Sequence, residues 1–405
     1  KKLDDIVLHP VWGMIMLLFI LFMVFQAVYT WAAPIMEAIE GGFGWLGEWV
    51  AANMEPGILS DLLVNGVLAG LGSVLVFLPQ ITILFAFILL LEDSGYLPRA
   101  AFLLDNLMAK SGLSGRSFIP LLSSFACAVP AVMSARTIND PRERLVTIAV
   151  APLLTCSARL PVYALIIAAV IPNRTVGGIF NLQGLTLFIL YLAGILSAAL
   201  AAYIMKRLAR MKGNVQQFPL LMELPTFRTP NFKHIMTSLW DRVKAFLKRA
   251  GTIIFALAVV LWGLVSWPQP PAGATGAAID YSLAGMLGHA IQPLFAPLGF
   301  TWEMCIAMIP GIAAREVVVA ALGTVYAVSA SSEDAVQNAL IPIVHNNWGL
   351  PTAFAFLAWY VYAPMCAATL TVIKREIKST KNMVMITGYL FLMAYFAAFV
   401  VYQIS

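Results

Sequence analysis

The chain has 405 residues, of which 61% are hydrophobic and only 11% charged, and its mean hydropathy is +0.86. A soluble domain carries about 25% charged residues, so a water-soluble enzyme or binding module is excluded; apolar runs of the ~20 residues a spanning helix needs make this an all-α polytopic membrane protein. The formal net charge of +5 belongs to loops that set orientation and does not indicate nucleic-acid binding.

Residues 11–33 form the first predicted span, preceded by Lys1 and Lys2. Residues 34–57 carry Glu37, Glu40, Glu48 and Glu55 without Lys or Arg. This charge bias places the N-terminus in the cytoplasm and residues 34–57 outside, as a helix lying at the interface. The chain begins with Lys1 and has no signal-peptide pattern, so it is expected to be the membrane part of a longer protein.

Residues 58–91 return inward with a break near Pro79. Residues 118–135 are flanked by Arg99, Lys110 and Arg116 on one side and Arg136, Arg142 and Arg144 on the other. Both flanks read as cytoplasmic, which makes this segment a re-entrant hairpin breaking at Cys127–Pro130; a single short span is the alternative. Residues 145–171 cross outward and 182–205 return. The stretch 206–249 then carries ten basic residues against Glu223 and Asp241. It is the largest cytoplasmic loop, and its end, WDRVKAFLKRAG, has the pattern of an amphipathic helix.

Residues 252–267 cross outward. From Thr252 to Ile373 the only Lys or Arg is Arg315, so 268–300 and 329–350 read as external loops. Between them, 304–328 contains Pro310, Arg315 and Glu316 and reads as a second re-entrant segment. Residues 352–373 cross inward to Lys374, Arg375, Lys378 and Lys381, and 383–401 cross outward again. The predicted organisation is residues 1–57, a first repeat over 58–205, a basic connection over 206–251 and a second repeat over 252–405. About seven to eight spans are expected, plus the re-entrant broken helices. The order of elements recurs with opposite predicted direction, and FIPLLSS (118–124) resembles MIPGIAA (308–314) while APLLTCSA (151–158) resembles YAPMCAAT (362–369). Two inverted-topology repeats are the architecture of secondary transporters, with the site between them.

Four cysteines are present, and no CxxC spacing points to a zinc knuckle or disulfide framework. Cys127, Cys156 and Cys366 lie beside Pro130, Pro161 and Pro364. Proline breaks a membrane helix and frees backbone groups, which are tolerated only where protein or a water-filled path covers them. Thiols at such breaks suit a soft or borderline transition metal, although a lone membrane cysteine also serves as a small apolar filler. Cys305 has no break nearby and is assigned to packing. Arg159, Arg315 and Glu316 fall within predicted membrane segments, where charges pair or line a path; Arg159 and Glu316 are candidates to pair across the repeats, with Glu316 alternatively offering a carboxylate to a cation. Glu92 and Asp93 end the second span and are candidates to line the cytoplasmic mouth, or are simply a solvated helix end. His9, His234, His289 and His345 have no metal-ligand spacing, and neither a P-loop nor a nucleophile elbow occurs.

Several long blocks resemble one family. LLLEDSGYLPRAAFLLDNLMAKSGLSGRSFIPLL, CAVPAVMSARTI, CSARLPVYAL, FPLLMELPTFRTP, WDRVKAFLKRAGTIIFA, AREVVVAALGTVYA and ATLTVIKRE resemble the membrane region of ferrous iron transport protein B. The resemblance runs in order through nearly the whole chain. It implies two Gate repeats and a multi-pass importer of Fe(II) in the bacterial inner membrane. It also implies an N-terminal GTP-binding domain, using GTP and Mg, that is not in this chain, small accessory cytoplasmic transport proteins and a homo-oligomer. It implies Cys127, Cys156 and Cys366 as the family's thiols. The family's GCNVP is ACAVP here, Met365 separates Pro364 from Cys366, and Arg315 stands where Lys is expected. The working expectation is Fe(II) translocation with Cys127 and Cys156 as ligands, Cys366 as a third, and Glu316, Pro130, Pro161, Arg159, Arg315, Glu92 and Asp93 along or gating the path. Set against it are an ion-coupled carrier of a small organic solute such as a nucleoside, and a scaffold that transports nothing.

Overall fold

The computed structural model describes residues 4, 7–9, 11–55, 57–100, 102–103, 113, 115–172, 174–176, 180–211, 230–268, 281–313, 315, 317–326, 333–364 and 366–405. Among these, six helical stretches are long and apolar enough to cross a membrane, or seven if one sharply bent pair counts as a span. The architecture is helical, with one two-residue antiparallel pairing of Thr175–Val176 and Phe180–Asn181. The chain divides into two compact units.

Unit 1 comprises Lys1–Gly42, Gly72–Ala151 and Leu196–Gly251. Its first helix, α1 (Trp12–Asn53), continues into unit 2 without a break at Pro34, so the expected span and interfacial helix are one element. At 1.5 Å per residue its 42 residues measure about 63 Å, twice the hydrocarbon thickness. Helix α2 (Leu78–Asp93) starts after a turn at Phe77 with Pro79 in its first turn, where the missing N–H costs nothing. Val24 and Val28 of α1 pack on Leu84 of α2, and Trp31 meets Phe87 with ring centroids 5.9 Å apart. Arg99 donates to Asp4 Oδ1 at 2.6 Å and to the Gly95 carbonyl at 2.7 Å, tying the N-terminus to the end of α2.

The segment expected to be a hairpin is two short helices, α3 (Phe118–Ala126) and α4 (Ala128–Ser134), separated by extended Cys127 (φ −155°, ψ 130°). Pro130 explains the break: in a continuous helix its ring would meet the Ala126 carbonyl, which it could not serve as donor. Helix α5 (Pro141–Val150) is capped by Asp140, whose side chain accepts from Arg142 N.

Unit 2 comprises Phe43–Leu71, Pro152–Ile195 and Thr252–Ser405. Following α5 are a 3-10 turn (Ala151–Leu153), a non-helical stretch through Cys156, a second 3-10 turn (Ser157–Arg159) and α6 (Leu160–Val170). Helix α7 (Leu182–Met211) leaves unit 2 and ends in unit 1. The basic connection contains α8 (Phe232–Phe246), capped by Asn231 and amphipathic as expected. Its partners in unit 1 are described below.

Helix α9 (Thr252–Ser266) has 15 residues, about 22 Å of rise, which is why it is not among the six long stretches. The expected external loop 268–300 contains α10 (Leu283–Phe295), with α11 (Trp302–Ala313) beyond a 105° bend. Gly299 makes this corner with φ +72°, and a Cβ there would overlap the Tyr402 ring. Helix α11 runs straight through Pro310, so the interruption lies after Ala313, before α12 (Val317–Val325). The expected loop 329–350 likewise holds α13 (Glu333–Asn347). Both stretches expected as external loops therefore carry a helix, since the absence of Lys and Arg bears on which side a segment faces, not on whether it is helical.

The final crossing segments are α14 (Leu350–Tyr362), a break through Cys366, α15 (Ala367–Ile377) and α16 (Thr380–Ile404). The unit 2 core gathers Tyr163 and Ile166 of α6 with Phe356 and Tyr360 of α14. Edge-to-face pairs Phe295–Trp359 and Trp359–Phe391, both with centroids 5.2 Å apart, lock α10, α14 and α16 together.

Candidate functional site at the helix breaks

Two breaks in unit 2 converge. Arg159 sits at the end of the 3-10 turn that follows Cys156, with its side chain fully buried. Its Nη1 donates to the Val361 carbonyl at 2.7 Å, and Nη2 to the carbonyls of Pro152 at 3.2 Å and Ala363 at 3.3 Å. One planar guanidinium thus serves backbone acceptors freed on both sides, at the end of α14 and in its own break. Arg315 donates to the Pro364 carbonyl, and its guanidinium carbon lies 5.0 Å from the Tyr360 ring centroid. Two cations therefore cap the C-terminal end of α14, where last-turn carbonyls lack helical partners and the dipole favours positive charge.

The thiols lie in the same neighbourhood. Arg315 is within electrostatic reach of Arg159, Cys156 and Cys366. Cys156 is 7% exposed, and Cys366 Sγ lies 3.3 Å from Thr369 Oγ1. Thr155 Oγ1 and Tyr163 OH are buried beside Cys156 and within interacting distance of each other. The carbonyl of Leu153 reaches α7 closely, since a Cβ on Gly194 would stand 2.8 Å from it.

The structure places the sequence-selected residues as follows. Cys156, Arg159, Pro161, Arg315 and Cys366 belong to unit 2, with all but Pro161 linked by the contacts above. Cys127 and buried Pro130 belong to unit 1, and Cys127 is partly exposed. Glu316 lies outside the described residues. Arg159 reaches the carbonyls of Pro152, Val361 and Ala363, and its expected pairing with Glu316 lies outside the described residues. Among the described residues, no three His, Cys, Asp or Glu side chains converge on a metal position. Glu92 and Asp93 hold α8: Arg242 Nη2 lies 3.3 Å from Glu92 Oε2, and Asn231 N donates to Asp93 Oδ2 at 2.7 Å.

Two of the histidines serve backbone: His9 Nδ1 accepts from Val11 and Trp12 N, and His345 Nδ1 lies 2.7 Å from the Ala169 carbonyl. Sequence reasoning missed Thr155, Tyr163 and Tyr360. A helical period from Cys156 through Arg159 to Tyr163 would have pointed to the second of these.

Comparison with known proteins defines the context. The Gate model, described as "Nucleoside recognition", matches residues 74–170 and 247–380. The model of the ferrous iron transport protein B C terminus matches 187–242. A protein named Fe(2+) transporter FeoB from Leptospira interrogans (strain Fiocruz L1-130) is 41% identical over 418 residues, covering 100% of this chain and 59% of the relative. The Campylobacter jejuni protein of the same name is 35% identical over 99% of this chain and 64% of its own length. A Porphyromonas gingivalis protein named as an Fe(2+) transport protein A/Fe(2+) transporter FeoB fusion is 35% identical over 100% of this chain and 51% of its own. The chain thus spans between half and two thirds of the length of these relatives, and no solved structure gives a significant match. Two Gate stretches joined by the ferrous iron transport segment, together with end-to-end similarity, show that this chain belongs to the ferrous iron transport protein B family, as its Gate-containing membrane region.

Proposed function

We propose that the chain is the membrane permease part of an Fe(II) importer, with the ion passing the broken helices. The observation that carries this reading is that Cys127, Cys156 and Cys366 each occupy the non-helical residue at which a membrane helix is interrupted. Fe(II) is borderline-soft, and thiolate, hydroxyl and carbonyl groups are ligands it accepts. Thr155 Oγ1 and Tyr163 OH add buried oxygens at the same level of the chain. Arg159 and Arg315 oppose long residence of a dication, which suits transit, since a translocation site must also release. Glu316 enters this reading as a carboxylate beside Arg315 in sequence.

The two Gate matches support an internal duplication, and the opposite charge bias of the two halves supports its inverted orientation in the inner membrane, with the N-terminus cytoplasmic. The fusion with a transport protein A in a relative supports a small accessory partner. A GTP-binding domain using GTP and Mg would act through the basic cytoplasmic connection, and a homo-oligomer fits the same reading. The organic-solute alternative is not favoured, because the similar proteins bear iron-transporter names.

The test is anaerobic Fe(II) binding to the purified chain beside Cys127→Ser/Cys156→Ser, and Fe(II) uptake by the full-length protein carrying the same pair. Binding is expected to weaken at least about tenfold, a ligand loss of the order of 1.4 kcal/mol, with unchanged thermal stability. Full binding and uptake in the double variant would remove both thiols from the path.

A further inference from the structure

Helix α8 carries an apolar surface that its own unit does not use. Ile235 is buried, and Leu239, Arg242 and Phe246, on the same side, are partly buried against α2. Phe232, Met236 and Trp240 are 74%, 49% and 67% exposed. At 100° per residue, these three occupy an arc of about 80° adjoining the packed face. Lys233 and Lys244, both exposed, follow within the next ~40°. The sequence of faces is therefore packed apolar, exposed apolar, then basic.

The height of this helix is fixed by its attachments. Arg242 pairs with Glu92 at 3.3 Å and stands over the Phe85 ring at 5.8 Å. Asp93 accepts from Asn231 N at 2.7 Å. Glu92 and Asp93 are the last two residues of the membrane-crossing stretch Ile58–Asp93. An element bonded to the end of a span sits at the level of the headgroups. There an apolar stripe ending in tryptophan and edged by lysines fits the acyl boundary, with the amines snorkelling to phosphate.

We infer that α8 is an interfacial helix whose Phe232–Met236–Trp240 stripe inserts into the leaflet and whose Lys233 and Lys244 bind anionic phospholipid headgroups. Two observations select anionic lipid over a neutral leaflet: the two amines on the exposed flank, and the excess of ten basic over two acidic residues in 206–249. A basic segment near an anionic surface gains attraction with each amine and loses it with added salt. The consequence is a lipid-sensitive helix tied to the mouth of a span, independent of what the permease carries.

The test uses the full chain in nanodiscs of phosphatidylcholine with or without phosphatidylglycerol. Hydrogen exchange over Phe232–Phe246 is expected to slow several-fold with phosphatidylglycerol. Added salt, or the double variant Lys233→Gln/Lys244→Gln, should abolish that difference. Brominated acyl chains should quench the fluorescence that wild type has over Trp240→Phe, a variant that keeps the apolar stripe and the fold. Exchange indifferent to phosphatidylglycerol, with Trp240 unquenched, would overturn the inference; cross-linking between copies at Trp240 would then identify a protein cover. Both readouts are independent of iron, so failure of the permease reading leaves this result interpretable.

Discussion

Arg159 shows how one residue joins two interruptions. A guanidinium offers five donors in a planar fork, and here three bonds span carbonyls of Pro152, Val361 and Ala363. Water is absent from a bilayer core, so no solvent replaces those bonds. Arg159→Met should destabilise the chain by about 3–5 kcal/mol, as expected when buried polar groups lose a charged partner. Arg159→Lys should recover only part of this, because an ammonium is a point donor without the fork. Thermal unfolding in detergent checks both; a Lys variant as stable as wild type would show that charge alone suffices. Cys156, Thr155 and Tyr163 illustrate a different lesson. The cysteine was legible from its proline neighbours, whereas the buried hydroxyls beside it were not, because burial depends on atoms distant in the chain.

At the scale of elements, broken helices are the recurring device, and their causes are local. Pro130 prevents α3 and α4 from joining across Cys127. Pro130→Ala would restore the Ala126 acceptor's donor and remove the ring clash, so we expect stability unchanged or raised by up to about 1–3 kcal/mol and Fe(II) uptake lowered several-fold in the full-length protein. Uptake at the wild-type rate together with raised stability would mean that the break is not used. The corner at Gly299 is equally local, since its positive φ excludes other residues by the Tyr402 ring as well as by backbone preference. Proline alone does not predict a break, however. Pro34 and Pro310 lie inside continuous helices, where neighbouring elements make good the lost bond. The expected boundary between a span ending at 33 and an interfacial helix from 34 gave way to one helix for this reason, and the helices in 268–300 and 329–350 were hidden because their sequences mix apolar residues with proline and glycine.

At the scale of the whole molecule, charge bias gives a topology that labelling can check. Single reporter cysteines Arg207→Cys and Lys374→Cys should react with a membrane-impermeant maleimide from the cytoplasmic side, and Glu48→Cys from the opposite side, each read against the unmodified chain. Reaction of Lys374→Cys together with Glu48→Cys would mean that the second half is not inverted. Membrane class, the approximate spans, the amphipathic connection and the thiol-bearing breaks were determined by the sequence alone, because hydropathy, loop charge and proline act through the local chain and the solvent around it. Tertiary structure decided the rest: that Arg159 and Arg315 cap carbonyls, that Glu92 and Asp93 hold α8, and that α8 keeps an unused apolar stripe. These depend on which distant groups meet inside a medium without water, where freed backbone carbonyls must find a donor, and only the packed chain settles which donor is within reach.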